Sequence, residues 1–117
     1  MMSDTIFAQA TPKGKSGVAI IRISGKEALS ALPYFNFHKK PTARYAHYHQ
    51  FRYENEVIDS GLLLYFPAPH SFTGEDVIEL QLHGGVAIMR YMLKVLTNTP
   101  RFRPAEAGEF AKRAFLN

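Results

Sequence analysis

Residues 76–83, Asp-Val-Ile-Glu-Leu-Gln-Leu-His, run into Gly84-Gly85 and then into Val-Ala-Ile-Met-Arg-Tyr-Met-Leu-Lys-Val-Leu at 86–96. The first octet alternates. Asp76, Ile78, Leu80 and Leu82 fall on one face of an extended chain, and Val77, Glu79, Gln81 and His83 on the other. The glycine pair breaks that strand. The following segment carries only Arg90 and Lys94, four residues apart, and reads as a helix buried over most of its circumference. A strand turning sharply into an apolar helix sets the grammar for the rest of the chain.

Upstream, Gly17–Ser24 (GVAIIRIS) is rich in β-branched residues and reads as a strand, as does Thr5–Thr11 before Pro12-Lys13-Gly14. Ser24 with Glu27 three residues on forms a capping-box pattern, which predicts a helix from Gly25 to about Leu32, stopped by Pro33. Arg44–Tyr53 and Glu56–Phe66 read as a hairpin around Glu54-Asn55. The continuous run Leu62–Phe66 suits a strand covered on both faces. Pro67-Ala68-Pro69 leads into a polar turn at 71–75, and Pro100 and Pro104 bracket a further loop. Glu109–Asn117 reads as helical, with Glu109 and Arg113 spaced to pair. The order predicts an α+β domain: a mixed β-sheet of about five strands with two to three helices. The last residues, Arg113–Asn117, carry no cap or polar tail and read as a cut within a longer chain.

A chain of 117 residues with 46% hydrophobic side chains is one domain able to bury a core. It has no cysteine, which excludes disulfides and thiolate metal sites. Neither a membrane-length apolar stretch nor a signal-peptide layout is present, so a cytoplasmic, membrane-free setting is expected. The net charge of +4 and pI of about 9.5 suit an anionic partner, but the basic residues look scattered along the sequence.

Catalytic signatures are missing: no phosphate-binding loop, no dinucleotide glycine motif, no zinc-protease or serine-hydrolase motif. The five histidines show no helical metal-ligand spacing, and His47 and His49 on one strand face are explained by half-exposure. Gly84-Gly85 ahead of a helix offers backbone N–H groups to an anion, although a tight turn explains it as well. Two residues are set apart by their surroundings. Arg22 shares a strand face with Val18, Ile20 and Ser24, and Glu79 begins the polar row Glu79-Gln81-His83. They pair within the sheet, or lie on a simply solvated face, or form a polar pocket with one carboxylate and one guanidinium as its specificity elements.

The segments Gly17–Gly25, Phe66–Pro69, Ser71–Gln81, His83–Gly85, Gly108–Phe110 and Arg113–Asn117 resemble, in order and spacing, the N-terminal domain of the MnmE (TrmE) tRNA modification GTPases. The resemblance covers essentially all of residues 1–117, and the run Ser71–Gly85 is its most specific part. It implies a fold similar to the folate-binding domain of aminomethyltransferases. It also implies a homodimer that binds 5-formyl- or 5,10-methylene-tetrahydrofolate, with Arg22 and Glu79 as the folate-binding residues and no catalytic or metal-binding residue in this part. A pterin presents a 2-amino group beside a ring N–H, a donor pair that a carboxylate such as Glu79 accepts on two oxygens.

In the longer protein the resemblance implies helical and GTPase domains, the latter using GTP, magnesium and potassium. It further implies a flavoprotein partner of the GidA/MnmG type and addition of an aminomethyl-type group to the wobble uridine of tRNA, with tRNA engaged through that complex. This chain, lacking a phosphate loop, is not expected to hydrolyse GTP. Two other readings compete: a stand-alone folate-dependent aminomethyltransferase and an RNA-binding module. The sequence departs from the family pattern at Ala107 and Ala111, where proline and threonine are usual. Leu82 is larger than the residue common before His-Gly-Gly. The family's folate-linked lysine follows the segment matching Arg113–Asn117, which implies a site held only in part.

Overall fold

The computed structural model describes residues 4–10 and 17–117. Its strands are β1 (Thr5–Gln9), β2 (Ala19–Ser24), β3 (His47–Tyr53), β4 (Glu56–Phe66), β5 (Val77–Leu82) and β6 (Phe102–Pro104). A 3-10 helix covers Ala28–Phe35, and two α-helices follow, α1 (Gly85–Thr97) and α2 (Glu109–Leu116). The strands form one mixed sheet in the order β3-β4-β5-β2-β1-β6, antiparallel throughout except that β6 runs parallel to β1. The expected α+β class is therefore correct, with six strands rather than about five. The Thr11 end of the first expected strand lies outside the described residues.

The sheet has one filled face. Phe7, Ile21, Ile23, Leu63, Ile78, Leu80 and Leu82 point into a single core closed by Leu32 and Phe35 of the 3-10 helix and by Met89, Met92 and Leu96 of α1. On the other face Ile6, Ser24 and Val77 are buried at one end, whereas Ala8, Ile20, Arg22, Leu62, Leu64, Phe66, Glu79 and Gln81 are half-buried. The run Leu62–Phe66 is thus fully covered on one face only. The same holds for α1. Val86, Ala87, Arg90, Tyr91, Lys94 and Thr97 are exposed, because a helix lying on a two-layer domain meets protein on one side alone.

Three local expectations are corrected. The 71–75 turn draws Ser24 away from a helix cap: its hydroxyl donates to Glu75 Oε1 and lies 2.7 Å from Thr73 Oγ1. Without that cap the next segment starts later and winds as a 3-10 helix from Ala28, with Pro33 inside it rather than ending it. The stretch expected as a loop between Pro100 and Pro104 contains β6, too short to show a period in sequence. At Gly25, φ is +143° and an added Cβ would sit 2.5 Å from Thr5 Oγ1, so only glycine lets β1 approach this closely. The hairpin forms as expected, with Glu54 and Asn55 both at positive φ as a two-residue turn requires.

The C-terminal helix is anchored by a charge. Arg113 is the only fully buried side chain of α2, at 1% exposure, whereas Phe115 and Leu116 are exposed. Its guanidinium donates to the Asp4 carbonyl (2.6 Å), to Glu75 Oε1 (3.0 Å) and to Glu109 Oε2 (3.2 Å). Removing one member of such a buried cluster strands the others, at about 3–5 kcal/mol. Arg113→Met is expected to lower the melting temperature by more than ~10 °C. Arg113→Lys should recover only part of that, since one ammonium cannot reach three separated acceptors in the guanidinium plane. Thermal unfolding by circular dichroism checks both, and a methionine variant as stable as the unaltered chain would refute the anchoring.

Candidate functional site

Antiparallel pairing of β2 with β5 places Arg22 directly opposite Glu79 on the open face of the sheet. Arg22 Nη2 lies 3.2 Å from Glu79 Oε2, and Gln81 Nε2 donates to Glu79 Oε1 at 3.3 Å. The side chains are 28% and 15% exposed, so the pair is sheltered yet open to a ligand from one side. Of the arrangements open from sequence, the ion pair is present, and it stands in a polar row with Gln81. The row stops at Gln81. The His83 ring leaves it, approaching the Ser60 carbonyl at 3.2 Å.

Phe72 completes the surroundings. Its ring is 57% exposed, and the Arg22 guanidinium carbon lies 5.6 Å from the ring centroid, within cation–π range. On the far side of Phe72 a cleft of about 450 Å³ opens between Ala8, Phe72 and the segment Ala105–Ala111. Ala8 is the β1 partner of Arg22, so cleft and ion pair adjoin. Sequence reasoning did not single out Phe72 or this cleft. The signal available was an aromatic residue in an otherwise polar turn, Ser71-Phe72-Thr73-Gly74-Glu75.

The cleft's outer wall is held by Glu109. Arg103 grips its carboxylate with two nitrogens, Nη1 at 2.8 Å from Oε1, while the Glu106 amide donates to Oε1 at 2.9 Å. Arg113 adds the expected i,i+4 contact. The hydrogen bonds from Arg103 hold the Glu109 carboxyl at about 2, well below its usual value, although burial acts in the opposite direction. Partnership with Glu109 and Asp4 raises the Arg103 guanidinium in turn.

The glycine turn ahead of α1 is not an open anion cradle. Asp59 Oδ2 accepts from the His83 and Gly84 amides at 2.8 and 2.9 Å, so the chain supplies its own carboxylate there. His47 and His49 are also engaged: the Thr42 amide donates to His47 Nε2, and His49 Nε2 reaches the Phe35 carbonyl at 3.0 Å. No cluster of His, Asp and Glu among the described residues could hold a metal ion. Nor is any helix among them long and apolar enough to cross a membrane.

Residues 5–117, from β1 to the end of the chain, match the family described as GTP-binding protein TrmE N-terminus. The chain belongs to that family. It is 52% identical over 116 residues to the tRNA modification GTPase MnmE of Proteus mirabilis (strain HI4320), covering 98% of this chain and 25% of the relative. With the protein of the same name from Hamiltonella defensa subsp. Acyrthosiphon pisum (strain 5AT) it shares 52% over 125 residues, 98% of this chain and 26% of that one. A third, from Yersinia pseudotuberculosis serotype O:1b (strain IP 31758), is 50% identical over 116 residues, again 98% and 25%. The chain thus spans about a quarter of the length of the curated relatives it matches. Within this family member, Ala107 and Ala111 line the cleft beside Phe72.

The depressed Glu109 value fixes a direction with pH. Its stabilising contribution is complete above about 4.5, the ordinary value, and is lost as the pH falls through about 2. Glu109→Gln should therefore be clearly less stable than the unaltered chain at neutral pH and converge with it in acid. Urea unfolding from pH 7 to 2 checks this, and a constant difference across the range would refute it.

Proposed function

We propose that this chain is the tetrahydrofolate-binding and dimer-forming N-terminal part of a tRNA modification GTPase. The observation that carries the reading is the in-register pair Arg22–Glu79 on an open sheet face, beside an exposed ring and a cleft. The donor set suits the ligand: the Glu79 carboxylate matches the adjacent N–H donors of a pterin, and Phe72 offers a flat face to a fused ring. Arg22 then serves the pterin oxygen or the ligand's carboxylates. Because Arg22 and Gln81 occupy Glu79 in the structure, binding exchanges these partners for ligand donors. Tetrahydrofolate supplies a one-carbon unit when bound, and these residues bind and orient it.

The longer protein, on this proposal, contains the GTPase domain with its magnesium and potassium and works in the cytoplasm with a flavoprotein of the GidA/MnmG type on the wobble uridine of tRNA. The fold of this part is then akin to the folate-binding domain of aminomethyltransferases. The stand-alone transferase reading is less well supported, since the relatives named tRNA modification GTPases cover this chain from end to end and are about four times as long.

Calorimetric titration with 5-formyltetrahydrofolate tests the pocket. Glu79→Gln turns one acceptor into a donor facing a donor and removes the charge, so affinity should fall roughly tenfold to a few hundredfold. Arg22→Ala should act by a similar order. Both variants also lose the cross-strand pair and melt somewhat lower; loss of stability with unchanged affinity would leave the pair purely structural and defeat the proposal.

Dimer formation is proposed on the half-buried strip Leu62, Leu64 and Phe66 across the open face. Sedimentation at micromolar concentration should show a species near twice 13.2 kDa, and Leu64→Glu should shift it to monomer. A strictly monomeric unaltered chain at high concentration would refute this part.

A further inference from the structure

The chain's net positive charge coincides with one stretch of the sequence. From Ala28 to Tyr53 there is no Asp or Glu, yet Lys39, Lys40, Arg44 and Arg52 fall in this stretch. Outside it, ten Lys and Arg stand against ten Asp and Glu, so these four cations equal the whole net charge of +4. The fold gathers what looked scattered, because the stretch comprises the 3-10 helix, the edge strand β3 and the loop joining them. None of the four cations forms an ion pair among the described residues; Arg44 donates to the His70 carbonyl and Arg52 to Gln50, both neutral. Elsewhere Arg22, Arg101, Arg103 and Arg113 are matched by carboxylates, whereas Lys26, Arg90, Lys94 and Lys112 form no ion pair among the described residues but have Asp and Glu in their part of the sequence.

Exposed rings lie among these cations. Tyr48 on β3 is 77% exposed, Tyr45 58% and Tyr34 43%. A cleft of about 670 Å³ is lined by Lys39, His38, His49, Tyr45 and Tyr48 over a floor that includes Phe37. At Asn36 it meets a smaller cleft of about 170 Å³ lined by Tyr34, Arg52 and Glu54. The two clefts share Asn36 and adjoin the edge strand β3, with Lys39, Tyr45 and Tyr48 in the larger and Tyr34 and Arg52, beside Glu54, in the smaller.

We infer that this edge is a docking surface for single-stranded RNA. Unpaired cations attract a phosphate backbone, and exposed tyrosines offer stacking faces to unpaired bases. A duplex keeps its bases stacked on one another, and an acidic peptide has no use for the rings. The surface is formed by the 3-10 helix, β3 and their connecting loop, whereas the pocket of Arg22 and Glu79 lies between β2 and β5. Only the choice of RNA over DNA rests on the proposed function.

Fluorescence anisotropy of this chain with a labelled uridine-rich RNA of about 12 nucleotides, in about 50 mM salt, tests the assignment. Binding is expected by roughly 0.1 mM protein, weakening steeply as salt rises. Tyr48→Ala and Tyr45→Ala should each weaken it roughly 5- to 100-fold, and Lys39→Glu with Lys40→Glu should abolish it. The melting temperature and the titration with 5-formyltetrahydrofolate should stay unchanged in these variants, so failure here and failure of the folate pocket are read separately. Absence of binding at that concentration, indifference to the tyrosine and lysine changes, or equal affinity for a duplex would overturn the inference. Equal affinity for DNA of the same sequence would overturn the assignment to RNA.

Discussion

A guanidinium buried at the junction of three chain segments governs much of this architecture. Moving such a group out of water is costly, and here the cost is offset only because the acceptors are arranged around it: the Asp4 carbonyl before β1, Glu75 in the 71–75 turn and Glu109 at the start of α2. Among the described residues no buried side-chain nitrogen or oxygen lacks a partner. Because α2 buries no other side chain fully, its place on the domain is set by Arg113 rather than by an apolar stripe. The same cluster captures Ser24 through Glu75, which delays the next helical segment and ties the end of β2 to the turn. Arg113 thus ties the 71–75 turn to the start of α2, and Arg103 holds the cleft wall at Glu109 with it.

The sheet separates two kinds of surface. Its filled face supplies the apolar burial that holds the domain, while its open face keeps Arg22, Glu79 and Gln81 in a row flanked by Leu62, Leu64 and Phe66. A polar row survives in the middle of a sheet because cross-strand pairing satisfies it: Arg22 meets Glu79 in register and Gln81 completes the carboxylate. At Gly61 an added Cβ would come within 1.9 Å of the Gln81 carbonyl, so the close approach of β4 to β5 beside this row depends on the absence of a side chain there. Side chains carried on central strands are held more rigidly than loop-borne ones, and Arg22, Glu79 and Gln81 are all so carried.

Much of this was legible in the residues. Period-two alternation in the sequence sets the faces of β2 and β5, and so marks out Arg22 and Glu79. Failures occurred where distant contacts outweighed local signals. Ser24 and Glu27 spell a cap, but Glu75 competes for the Ser24 hydroxyl from 51 residues away. Phe102–Pro104 is too short to show a period and becomes a strand only because β1 lies beside it. Helix α1 carries apolar residues around its circumference, yet a two-layer domain covers only one side.

What the sequence determined by itself was the α+β class, the hairpin, the inward and outward faces of β2 and β5, and membership of the family, since these rest on periodicity, turn chemistry and specific runs of residues. Tertiary structure alone decided that Arg22 stands opposite Glu79 rather than one register away, and that Phe72 closes over it. It alone placed Arg113 inside the domain and brought Lys39, Tyr45 and Tyr48 to one edge. The reason is physical: alternation depends on neighbours two residues apart, whereas register, burial of a charge and the gathering of a surface depend on contacts between segments that no local pattern encodes.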